Sequence, residues 1–128
     1  MEGTPEQLAA FAARLLSEAR AHGAAGFDAH DDIKIRKAAE SAWKAACAAT
    51  DAAMAARGIP RDGSGADRPR HYAFLDSLDG GSHSLAYASF ADRLHRLCAH
   101  DGHLPSRESW ERQVAAVEAF IAAVTAPP

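Results

Sequence analysis

The sequence predicts an all-α protein, a single-domain, up-and-down bundle of four to five helices. Three observations predict it. Apolar residues recur at steps of three and four along most of the chain. Alanine supplies much of the 48% hydrophobic content, while aromatic residues make up only 7%. The one alternating fragment, Ile33-Lys34-Ile35, sits inside a helical pattern. Alanine favours helix strongly but buries little area, so the core must come from close helix approach and a few large anchors. At 128 residues the chain fits one domain, 1–128.

The first helix is expected over about 4–22. Thr4 caps it, Pro5 takes its first position and Gln7 completes a capping box. Leu8, Phe11, Ala12, Leu15 and Ala19 form its apolar face, and Gly23 is its expected stop. A second, longest helix follows over about 29–57, with Asp28 as N-cap and Asp31 and Asp32 in the first turn, where the helix dipole favours carboxylates. Its stripe of Ile35, Ala39, Ala42, Ala46, Ala49 and Ala53 invites close approach, and Trp43, Cys47, Thr50 and Met54 supply bulk beside it. Such a helix belongs at the bundle centre or at a dimer contact.

Residues 58–66, rich in glycine, form the expected linker. A short third helix is expected over 67–79, with Tyr72, Leu75 and Leu78 inward and Gly80-Gly81 ending it. The fourth, 83–101, buries Tyr87, Phe90, Ala91, Leu94, Leu97 and Cys98 before Gly102. The fifth, 106–125, starts at a Ser106 cap and is amphipathic through Trp110, Val114, Val117, Ile121 and Val124.

A net charge of −3 gives no global attraction to nucleic acid or anionic membrane, so any polyanion site must be a local patch. Cys47 and Cys98 fall on apolar faces and are expected to be reduced, inert core thiols. The polar start of the chain does not read as a signal peptide, and no apolar run is long enough for a membrane span. The expected location is therefore cytoplasmic, with no membrane partner.

Histidines and arginines gather late in the fourth helix, at Arg93, His95, Arg96, His100 and His103. At ~100° per residue, Arg93, Arg96 and His100 share one face, and His95 lies roughly 140° from His100. That separation rules against chelation by the two histidines, and neither a zinc nor a di-iron spacing is present, so no metal and no cofactor is expected. Gly63-Ser64-Gly65 lacks the lysine and the preceding strand of a phosphate loop. Asp28, Asp31 and Asp32 around His30 are explained by helix capping. Lys34, Arg36, Lys37 and Lys44 read as the wet face of the second helix. Arg68, Arg70 and His71 open the third helix against its dipole, either as a solvated boundary or as a group kept for a partner.

Arg93 and His100, with about 10 Å between them along the axis, are the candidates for chemistry. A histidine titrating near neutrality beside an arginine suits acid–base cleavage of a phosphodiester. The competing reading is that Arg96 and His100 merely complement the negative end of the helix. Candidate anion or nucleic-acid contacts are Arg93, Arg96, His100, Arg70 and His71.

Three stretches carry a family resemblance: Ile35-Arg-Lys-Ala-Ala-Glu-Ser-Ala-Trp-Lys-Ala-Ala48, Arg70-His-Tyr-Ala-Phe-Leu75 and Leu94-His-Arg-Leu-Cys-Ala-His-Asp-Gly102. Together they make residues 30–125 resemble the small stand-alone helical proteins of the HEPN superfamily. The resemblance implies an α-bundle and a homodimer. Catalytic members are metal-independent ribonucleases carrying an arginine, a polar residue, then a histidine after four to six residues. Arg93 to His100 meets the loosest spacing, but Leu94 stands where the active pattern has a polar residue. The leading expectation is thus a non-enzymatic, homodimeric interaction or nucleotide/RNA-binding module, with a protein partner also in view. The alternative is an endoribonuclease of a toxin–antitoxin type, with Arg93 and His100 at a dimer groove. A small-ligand or metal-binding bundle is the further alternative.

Overall fold

A computed structural model describes residues 3–60, 67–79 and 81–127. Within these residues the chain is an all-α bundle with no strand. Helix α1 spans Pro5–Ala29, α2 Asp32–Ala56, α3 Asp67–Asp79, α4 Ser82–Phe90 and α5 Arg107–Val124. Between α4 and α5, Ala91–His100 continues α4 as a π-helical segment. Residues 61–66 of the expected linker, including Gly63-Ser64-Gly65, and Gly80 of the expected stop lie outside the described residues.

The capping box at the start of α1 is formed as its sequence dictates. Gln7 N–H donates to Thr4 Oγ1 at 3.1 Å, and Thr4 N–H donates back to Gln7 Oε1 at 3.0 Å. The helix does not stop at Gly23; it runs on to Ala29, and both Gly23 and Gly26 are buried. A Cβ at Gly23 would lie 2.5 Å from Trp110 Nε1 of α5. Gly23 is therefore a packing glycine, and its missing side chain lets Trp110 lie against the helix. Phe11, expected on the apolar face, is instead exposed, and Leu16 takes a place in the core.

His30, in the left-handed region at φ 52°, turns the chain from α1 into α2. Asp31, not Asp28, caps α2, accepting from Lys34 N–H at 3.1 Å. Asp28 pairs with Arg107 of α5 at 2.6 Å. Helix α2 is the bundle centre, touching α1, α3, α4, the π segment and α5. Its alanines at 38, 39, 42, 45, 46, 49, 52 and 53 are buried together with Trp43, Thr50 and Met54. Close backbone approach thus replaces large side chains, as the composition requires.

The larger anchors come from the other elements: Phe74 and Leu75 of α3, Tyr87 and Phe90 of α4, and Trp110, Val114, Val117, Phe120 and Val124 of α5. Phe120 takes the central place expected of Ile121, which is only partly buried. Ser106 caps α5, accepting from Ser109 N–H at 3.1 Å. Among the described residues, no helix is long and apolar enough to cross a membrane.

Candidate functional site

The π segment is where the backbone departs most from the sequence expectation. Most π geometry in proteins is a single widened turn, often at a functional position, whereas here it spans Ala91–His100. Its end mixes wide turns with an ordinary one, since Gly102 N–H donates to Cys98 O, four residues back, at 3.0 Å. Asp101 N–H donates to Arg96 O at 2.9 Å, five residues back, and His103 N–H donates to Leu97 O at 2.7 Å. Gly102, at φ +72°, supplies the left-handed turn that closes it.

The i to i−5 bonding of a π-helix packs more residues into each turn than an α-helix, so the ~100° step used on the sequence fails here. His95 and His100, expected on divergent faces, line one groove. That groove, about 360 Å³, lies between the start of α2 and the π segment and is also lined by Ile33, Arg36, Lys37, Glu40 and Ala99. His95 Nδ1 is 2.8 Å from Glu40 Oε1, and its ring lies 5.6 Å from that of Trp43. The carboxylate therefore orients one face of the imidazole and leaves Nε2 to other partners.

Arg36, expected on the wet face of α2, is a bridge to the π segment. Its guanidinium donates to Ala99 O at 3.1 Å and to His100 O at 3.1 Å, so it satisfies carbonyls that the helix end leaves open. His100 itself is largely solvated, its side chain 79% exposed, with Nδ1 2.8 Å from Asp101 Oδ1. That contact, with Arg96 and Arg36 near by, holds the Asp101 carboxyl below the usual carboxylate range. Ile33 is 65% exposed at the groove edge.

The expected common face of Arg93, Arg96 and His100 does not form one site. Arg96 is held to Asp92, with Nε 2.8 Å from Oδ1, and approaches Asp101 at 3.6 Å. Arg93 borders a different groove, against α5. Arg70 donates to Pro60 O at 2.6 Å. His71 is not a solvated boundary residue; it is buried and cannot meet an external anion in this arrangement. Its Nε2 is 2.8 Å from Asp51 Oδ1 and its Nδ1 2.7 Å from Tyr87 Oη.

This chain continues to the partly buried Cys47, whose Sγ is 3.8 Å from Tyr87 Oη. Burial pushes the Cys47 thiol up to about 12, and it also raises Tyr87. A thiol and a phenol so shifted stay protonated near neutral pH, so the chain acts as a polar tie between helices and not as a nucleophile. One signal for it was visible in the sequence: Asp51 is the lone carboxylate in the alanine-rich run 45–56, a place that requires a buried partner.

Among the described residues, no three His, Cys, Asp or Glu side chains are placed to hold a metal ion. The chain matches no family model, no curated protein and no solved structure.

Proposed function

We propose that this protein is a non-enzymatic, HEPN-like helical module that binds an anionic partner, a nucleotide or RNA, and works as a homodimer. The observation that supports it best is the groove beside the π segment. Arg36, Lys37, His95 and His100 meet there, and the one carboxylate among the described lining residues, Glu40, is already engaged by His95. With a net charge of −3, a local basic groove is the form an anion site must take. The homodimer draws support from the family resemblance alone. Arg93 and His100 border different grooves, which favours binding over a catalytic pair within one chain.

Fluorescence anisotropy with a short single-stranded RNA and with a labelled adenine nucleotide tests the binding. Lys37→Ala and His100→Ala should each weaken it severalfold, and the effect should shrink at high salt. Unchanged affinity in both variants would remove this groove as the site. The same RNA incubated in EDTA tests the enzymatic alternative. Cleavage that is lost in His100→Ala would overturn the non-enzymatic reading. Sedimentation at micromolar concentration tests the dimer.

A further inference from the structure

We propose a second site, independent of the first groove, in which Arg93 and Arg112 hold a phosphate group between α4 and α5. The groove measures about 240 Å³ and is bordered by Ser89, Arg93, Ser109, Arg112 and Gln113; it shares no lining residue with the first. Among the described residues, no carboxylate lines it. Among the described residues, Arg93 has no hydrogen-bond or ion-pair partner, so its whole fork of donors is free. Arg112 engages Glu108 through Nη1 at 2.8 Å and keeps its other N–H groups. Ser109 Oγ accepts from Gln113 Nε2 at 3.0 Å, which leaves the hydroxyl proton of Ser109 to donate.

The groove is thus rich in donors, the composition that suits a tetrahedral oxyanion. One acceptor of a lining residue is shielded beside the groove. Gln113 Oε1 is the one buried side-chain polar atom among the described residues with no hydrogen-bond partner. An orphan of this kind in a polar groove marks a missing partner. With phosphate bound, the Gln113 amide turns so that Oε1, otherwise shielded from solvent, faces the groove and accepts from a P–OH. Inorganic phosphate keeps a P–OH at neutral pH, whereas sulfate has no proton to give. The acceptor therefore selects phosphate over sulfate.

The test is an NMR titration of the ¹⁵N-labelled full chain at pH 7 and fixed ionic strength, with inorganic phosphate, sulfate and adenosine monophosphate as separate probes. Saturable shifts at Arg93, Ser109 and Gln113 are expected with phosphate. Arg93→Ala and Arg112→Ala should each weaken binding about tenfold or more, the loss of a charged hydrogen bond. Gln113→Met should bring phosphate and sulfate to the same affinity. Both arginines are exposed, so these variants should keep the parent's circular dichroism. Lys37→Ala should leave phosphate binding unchanged, which separates this site from the first groove. Adenosine monophosphate, whose ester phosphate has its second pKa at about 6, has mostly lost its P–OH at pH 7 and should bind at the same residues more weakly than inorganic phosphate; equal or tighter binding would overturn the selection by Gln113. Binding of inorganic phosphate alone would identify the free ion. Saturation that is indifferent to Arg93 and Arg112, no saturation at all, or equal affinity of the parent for sulfate would overturn the proposal.

Discussion

His71 Nε2 lies 2.8 Å from Asp51 Oδ1, with both residues buried and twenty positions apart in the chain. Through Tyr87 Oη, 2.7 Å from the other ring nitrogen, the imidazole ties α2, α3 and α4 together. Removing one partner strands the other in a medium that cannot hydrate it. Asp51→Ala and His71→Ala should each lower the stability measured by urea unfolding by about 3 kcal/mol. Tyr87→Phe should cost roughly 1–3 kcal/mol. A double-mutant cycle between positions 51 and 71 should show coupling, and additive losses would mean that the contact is not a tie.

The close passage of α1 and α5 yields a second prediction. Because a Cβ at Gly23 would sit 2.5 Å from Trp110 Nε1, Gly23→Ala must push the indole or the helix aside. Alanine's better helix propensity returns about 1 kcal/mol, while overpacking costs about 1–3 kcal/mol. Net destabilisation is expected, read as a lower melting temperature. Trp110→Leu in the Gly23→Ala background should recover part of the loss. A variant more stable than the parent would refute the packing role.

Local chemistry made much of the fold legible. Thr4, Gln7 and Ser106 cap helices by short-range bonds that need no tertiary partner, and α2's alanines announce a crowded central helix. What escaped depends on distant contacts. Gly23 reads as a stop until Trp110, 87 residues later, occupies the space that a side chain would fill. His71 reads as solvated until Asp51 and Tyr87 close on it. The candidate site was harder still, because helical-wheel angles assume an α step. The π segment changes that step, so His95 joins His100 while Arg93 borders another groove.

Burial of Cys47 gives a prediction about reactivity and pH. With its thiol pushed up from 9.0 to about 12 by burial, the thiolate fraction at pH 8 falls about a thousandfold below that of a free cysteine. Alkylation of the native protein should be slower than that of the urea-unfolded chain by a factor of that order. The sign of the linkage follows. The folded pKa is raised, so the stabilisation is fully present below pH 9 and is lost as pH rises toward 12. Raised Tyr87 acts in the same direction. Urea midpoints should therefore fall between pH 9 and 11, and Cys47→Ala should flatten part of that fall. An unchanged slope in the variant would assign the alkaline loss to other groups.

Arg36 supports the π segment, the most unusual backbone among the described residues, and its removal should act there before it acts anywhere else. Its guanidinium carries the carbonyls of Ala99 and His100, where the wide turn ends in Asp101 and Gly102. A lost charged hydrogen bond costs roughly 1.5–3 kcal/mol when its partner stays buried. These carbonyls are partly open to water, so about 1–2 kcal/mol is expected for Arg36→Ala. Gly102→Ala attacks the same place by another route. At φ +72° a Cβ costs about 1 kcal/mol or more, and it would come within 3.4 Å of the Arg36 guanidinium. Hydrogen exchange distinguishes local loosening from global loss. In both variants the amides of residues 97–103 should exchange faster, while those of the α1–α2 core keep their protection. Uniform acceleration across the chain would show that Arg36 stabilises the bundle as a whole and not the π segment.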